Sequence, residues 1–235
     1  MQKLETTLRK SGTTILAMRY RGGVLMAGDK RMTDMHYHED DYLKIHSTGN
    51  KAFIGCAGVV ACIQRLIEVL IYNCEILEKK VETPIYVDGQ SQLLKTILQG
   101  QFAEMGPWMY ALDYIGIPIL CGFDPNRNKG RIFSYDEAGG IYERDDYATM
   151  GSGSILARTV LDSDWDCRLS EEEACRLAIL CMMRASRDNF TAPPTMAPVT
   201  IRTASAKKTG SVDDADALAI AKKIYQNDLR RKGLR

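Results

Sequence analysis

The sequence predicts an α+β fold with β-sheets packed on each other and helices outside. Two observations carry that reading. Runs of β-branched and aromatic residues come in consecutive groups, and stretches with helical apolar spacing come in pairs between them, so strands and helices are segregated rather than alternating. With 235 residues and 45% apolar content, the chain is also long enough for one sizeable core.

The first elements are strands. Thr13 to Tyr20 and Val24 to Ala27 are β-type runs joined by Arg21-Gly22-Gly23, a turn that suits a hairpin. A polar stretch follows, then Leu43-Lys44-Ile45, a turn from Ser47 to Asn50, and the apolar run Ala52 to Ala57 that ends at Gly58. From Val59 the period changes: Ile63, Leu66, Ile67, Leu70, Ile71 and Cys74 share one helical face, with Glu78 to Lys80 at the polar end. A second helix runs from Ser91 to Glu104 through Leu94, Ile97, Leu98 and Phe102, and Pro107 stops it.

Strands then return at Ile117 to Phe123 and Arg131 to Tyr135, around the turn Asp124-Pro125-Asn126, and again at Ile141-Tyr142 after Gly139-Gly140. A third helix starts near Gly153 and passes Leu156 and Val160. Ser170-Glu171-Glu172-Glu173 has the form of a capping box, so a fourth helix follows through Ala174, Leu177, Ile179, Leu180 and Met183. Pro193 and Pro194 break the chain before a last strand at Val199 to Ala204. Asp213, Asp214 and Asp216 open a terminal helix whose far end carries Arg230, Arg231 and Lys232, which complements a helix dipole.

The totals exclude several classes. Lys and Arg number 31 against 30 Asp and Glu, a net charge of +1, so no excess of charge points to nucleic acid or an anionic membrane. Seven cysteines (Cys56, Cys62, Cys74, Cys121, Cys167, Cys175, Cys181) are odd in number, lack CxxC spacing and mostly lie in apolar runs. They read as reduced thiols of a cytoplasmic protein. No segment approaches the roughly 18 apolar residues of a membrane span, and MQKLETTLRKSG lacks the apolar stretch of an export signal. Residues 1–12 therefore read as a removable propeptide ahead of a single domain, 13–235.

That reading gives Gly12-Thr13 a chemical meaning. Cleavage there would leave Thr13 with a hydroxyl and a free amine on one residue, and the amine can take the proton as the oxygen attacks a carbonyl. No histidine is needed.

Three stretches carry a family resemblance: TTILAMRYRGGVLMAGDKRMT, GIPILCGFD and GRIFSYDEAGGIYERDDYATMGSGSILA. In order and spacing, from Gly12 to about Val199, they resemble β-subunits of bacterial 20S proteasomes, closest to the actinobacterial type. The resemblance implies a four-layer α/β/β/α sandwich of the Ntn-hydrolase type. It further implies a homo-heptameric β-ring, two of them stacked between α-subunit rings, with an ATPase ring delivering unfolded polypeptide. It calls for no cofactor.

The same resemblance assigns roles. Thr13 becomes the nucleophile, and its α-amine, a group that ordinarily titrates at about 7.7 to 8.0, a base near neutrality. Asp29 pairs with a lysine identified as Lys44, the only lysine between Arg31 and Asn50, although the intervening loop is one residue shorter than in the relatives. A buried Lys44 would favour the neutral amine and stabilise negative charge beside the nucleophile. Gly58 supplies the oxyanion-hole N–H. Ser152, Asp188 and Thr191 surround the threonine amine; Ala192-Pro193 replaces the usual glycine pair after that motif. The pocket for the side chain before the cleaved bond is lined by Met32, Tyr42, His46, Cys56 and Val60, with backbone contacts from Thr33 and Val60. No strong charge is expected in it, which favours apolar side chains.

Other readings are weaker. His36, His38, Glu39, Asp40 and Asp41 contain metal-ligand types, but a solvated loop against a neighbouring subunit explains them better than a metal site. Gly151-Ser152-Gly153-Ser154 lacks the Lys-Ser/Thr ending of a phosphate loop. A non-catalytic ring subunit would typically lose the nucleophile or its lysine. The smaller heat-shock protease of the same superfamily is shorter and lacks the segment from Ser205 to Arg235.

Overall fold

The computed structural model describes residues 12–33, 38–188 and 199–231. In chain order the first half comprises β1 (Thr14–Tyr20), β2 (Gly23–Gly28), β3 (Met32–Thr33), β4 (His38–Glu39), β5 (Ile45–Gly49), β6 (Ala52–Gly58), α1 (Val60–Val81), α2 (Val87–Met105) and α3 (Trp108–Ala111). The second half comprises β7 (Gly116–Asp124), β8 (Lys129–Tyr135), β9 (Ile141–Arg144), β10 (Tyr147–Gly151), α4 (Ser154–Asp164), α5 (Glu171–Ala185), β11 (Thr200–Ser205), β12 (Thr209–Val212) and α6 (Asp214–Arg231).

Two five-stranded antiparallel sheets form the centre, ordered β10-β1-β2-β11-β12 and β5-β6-β7-β8-β9. Three apolar clusters separate four layers. Ile15, Ala17, Met26, Ile45, Phe53, Ile119, Phe123 and Ile132 pack between the sheets. On the outer face of the second sheet, Ile63, Leu66 and Leu70 of α1 and Leu94 and Leu98 of α2 meet Ile54, Leu120 and Phe133. On the outer face of the first sheet, Leu161 of α4, Ile179 and Met182 of α5, and Ala217 and Ala221 of α6 cover Leu16, Met18, Leu25 and Ile201. Alternation along β1 explains how one strand serves two cores: Ile15 and Ala17 face the other sheet, Leu16 and Met18 face the helices. The result is the α/β/β/α sandwich.

Boundaries differ from the sequence reading in particular places. The second helix begins at Val87, because Val87 and Gln90 are buried and override the weak propensity of Gly89. Val59 caps α1 rather than starting it. Tyr147–Gly151 is a strand that the pattern did not mark; it pairs with β1 from Thr14↔Gly151 to Met18↔Tyr147. The short β3, β4, β12 and α3 were also unmarked. The capping box is present: Ser170 Oγ accepts from Glu173 N, and Glu173 reaches back to Ser170 N at 2.8 Å. Six of the seven cysteines are buried and Cys167 is exposed; all seven are free. Pro193, Pro194 and Lys232 lie outside the described residues. Among the described residues, no helix is long and apolar enough to cross a membrane.

Candidate active site

Antiparallel pairing brings the candidate residues to one end of the sandwich. Thr13 immediately precedes β1, Asp29 immediately follows β2, and Gly151 ends β10, both strands running antiparallel to β1. In the facing sheet Lys44 precedes β5 and Gly58 ends β6. Strand starts and strand ends alternate around a single edge, so residues 139 positions apart become neighbours: Ser152 Oγ donates to Thr13 O at 3.4 Å.

The polar centre is buried, with Thr13 4%, Asp29 1% and Lys44 6% exposed. Asp29 receives the Thr14 amide at 2.7 Å on one oxygen and the Arg31 amide at 3.0 Å on the other. Lys44 Nζ donates to both oxygens at 3.0 Å and to the carbonyl oxygen of Gly12 at 2.7 Å. A buried ammonium thus links the carboxylate to the peptide carbonyl that precedes Thr13. Burial holds Lys44 below the ordinary lysine range, and the opposing pull of Asp29 does not restore it.

Two glycines permit this approach of backbones. Gly151 has φ +94°, and a Cβ there would stand 1.9 Å from Thr13 O. Gly58 has φ +137°, and a Cβ would lie 2.0 Å from Ile115 O. Neither position accepts a side chain without moving main chain.

A cleft opens beside Thr13, lined by Gly12, Lys44 and Gly58 together with Met32, Tyr42, Cys56 and Val60. Leu43 and Ile63 add to its apolar wall. His46 is not among the lining residues; its ring nitrogen lies 3.1 Å from Leu43 O, and burial lowers its pKa, so it is neutral at pH 7. Burial also raises the Cys56 thiol far above its ordinary range, which leaves it an uncharged wall residue. The expectation of an uncharged lining needs correction, because Arg31 also lines the cleft. Its guanidinium is held by Asp40 through bonds of 2.6 and 3.0 Å. The adjacency of Arg31 to the Asp29 turn was the available signal, but the side chain's direction depends on the β3–β4 pairing, where Met32 faces Glu39.

The remaining candidates are placed as follows. Asp188 lies just beyond α5, with its amide donating to Ala185 O at 2.9 Å. Thr33 pairs with His38 across the β3–β4 hairpin. Thr191 and His36 are outside the described residues. Among the described residues, no group of three or more His, Cys, Asp or Glu is disposed to hold a metal ion.

A proteasome subunit family model matches residues 9–195. The chain belongs to the proteasome subunit family. A proteasome subunit beta of Stackebrandtia nassauensis is 32% identical over 231 residues, covering 94% of this chain and 81% of that one. One from Frankia alni is 32% identical over 192 residues, covering 81% and 67% respectively. One from a Parafrankia species is 33% identical over 179 residues, covering 76% and 64%. As a member of this family, the chain assembles with other subunits into a proteasome particle.

Proposed function

We propose that this chain is the threonine endopeptidase subunit of a 20S core particle, latent until it cleaves itself between Gly12 and Thr13. The observation that carries the reading is Lys44 Nζ, held by Asp29 and donating to Gly12 O beside the Thr13 side chain. A fixed cation on a carbonyl oxygen stabilises the negative charge that develops there during attack.

In self-cleavage, the Thr13 hydroxyl oxygen bonds to the Gly12 carbonyl carbon and the Gly12–Thr13 C–N bond breaks. The hydroxyl proton ends on the departing nitrogen. Residues 1–12 are then joined to Thr13 by an ester, and water hydrolyses it to release the propeptide and a free α-amine. In the mature subunit that amine, a group that ordinarily titrates near neutrality, takes the hydroxyl proton as Thr13 attacks a substrate peptide. Gly58 N–H supports the oxyanion; Ser152, Asp188 and Thr191 hold the amine in place. The product is an acyl-enzyme ester that water cleaves, regenerating Thr13.

The particle pairs two stacked seven-membered rings of this chain with α-subunit rings in the cytoplasm, and an ATPase ring feeds it unfolded polypeptide. Apolar walls of Met32, Leu43 and Val60 favour cleavage after apolar residues. Faster cleavage of reporter peptides with acidic residues at that position would refute this preference.

The decisive test is the intact mass of the chain in particles assembled with its α-subunit, beside a Thr13→Ala control. Residues 1–12 are expected to be lost from the wild type and retained in the control. Full-length mass in assembled wild-type particles would overturn the reading and favour a scaffold role.

A further inference from the structure

Two cations line the cleft among the described residues: Lys44, held by Asp29 and Gly12 O, and Arg31. With Met32, Tyr42, Leu43 and Cys56, Arg31 lines the same cleft as Thr13. Left uncovered, a guanidinium there would offer a fork of N–H donors to a carboxylate and draw acidic side chains into the pocket. It is not uncovered. Nε donates to Asp40 Oδ1 at 2.6 Å and Nη2 to Asp40 Oδ2 at 3.0 Å, the two-point geometry that matches a carboxylate best. The two side chains are 14% and 30% exposed, so the pair sits where water screens it only in part.

The backbone fixes both partners. The Arg31 amide is held by Asp29 at 3.0 Å, and the Tyr42 amide bonds Lys30 O at 2.9 Å, closing the base of the β3–β4 hairpin. Asp40 follows β4 directly and pairs with Arg31, so the guanidinium fork is already filled by a carboxylate of the chain itself.

We infer that Asp40 is a specificity-determining residue: it occupies the Arg31 fork and thereby makes the cleft select apolar side chains, and its removal turns the cleft toward acidic ones. This rests on the peptidase reading above and names the substrate class of that site.

The test compares assembled wild-type, Asp40→Asn and Arg31→Gln/Asp40→Asn particles on reporter peptides that differ only in a Leu or Glu before the cleaved bond. The readout is the Glu-to-Leu ratio of kcat/KM. Arg31 and Asp40 are both felt electrostatically at Lys44, with opposite signs, so absolute rates are not compared between variants. A ratio taken within one variant cancels any such change. The ratio is expected to rise about tenfold or more in Asp40→Asn and to fall back in the double variant. A ratio within about twofold of wild type in Asp40→Asn, with Leu cleavage retained, overturns the inference, as does a rise that persists without Arg31. Should Asp40→Asn fail to assemble, Asp40→Ser removes the same charge with a smaller side chain and is read by the same criteria. Wild-type particles that cleave neither reporter refute the peptidase reading, and this inference falls with it.

Discussion

Two buried cations, Lys44 and Arg131, show how opposite outcomes follow from similar burial. Both side chains are 4% exposed. Arg131, on β8, reaches three carboxylates: Glu143 of β9 with two bonds of 2.8 Å, Asp124 of β7 at 3.1 Å, and Asp88 in the first turn of α2. Its guanidinium also lies 4.7 Å from the centre of the Phe133 ring. The bonds to Glu143 lead in raising its pKa above the ordinary arginine value. Lys44 has one carboxylate and a peptide carbonyl, and burial lowers its pKa despite Asp29. An over-compensated cation is a clasp. An under-compensated one is poised to respond to new negative charge, which is what a site for carbonyl attack requires.

Four experiments sharpen that contrast. The largest effect is expected from Lys44→Met, which removes the donor on Gly12 O; self-cleavage should slow by about 10²- to 10³-fold, read as full-length mass over time in assembled particles. Unchanged processing would remove Lys44 from the mechanism. Arg131→Met should instead act on stability. It leaves buried Asp124 with only the more distant Arg127, 3.9 Å away, and costs about 3 kcal/mol, seen as a shift in the denaturation midpoint, while the specific activity of particles that still assemble is retained. Loss of activity at full assembly would show that the clasp also serves the site.

Alkaline titration separates the two clusters further. The native pKa of Lys44 is lowered from its ordinary 10.5, so the cation that polarises Gly12 O is lost as pH rises through that lower value. Self-cleavage of freshly assembled precursor should therefore decline with a midpoint below 10.5. Stability moves the other way: between the native and unfolded pKa values the unfolded chain binds more protons, so this group makes folding more favourable as pH rises through the window. Arg131 stays charged throughout. A decline only above 10.5 would contradict the lowered pKa. The smallest effect is expected at neither cluster. Ser170→Ala opens the capping box of α5 and should cost about 1 kcal/mol by denaturation, with no change in processing.

Legibility in the sequence followed the strength of local signals. The α1 stripe from Ile63 to Cys74 and the Ser170 cap were readable because the helical period and the Ser-to-Glu spacing each show within a few turns of chain, whatever the stripe later packs against. Tyr147–Gly151 was not, since a five-residue strand with only Ala148 buried has no alternation to read; its existence depends on the edge of β1. Thr209–Val212 has no buried residue and pairs only because β11 lies beside it. The site was legible through Gly12-Thr13, the Asp29 turn and the spacing of the family motifs. Arg31 and its cover Asp40 were not assigned to it, because a charged side chain beside a loop carries no sign of which way it points.

The amino-acid order alone determined the segregation of strands from helices, the caps, the glycines at tight positions and a threonine with chemistry available after cleavage. These are local properties, set by side-chain period and by which backbone angles a residue tolerates. Tertiary structure alone decided that Asp29, Lys44, Gly58 and Gly151 surround that threonine, and that Lys44 is buried with too little negative charge to hold its usual pKa. Proximity between strand ends is created by the packing of two sheets, and an electrostatic environment exists only once those charges have left water.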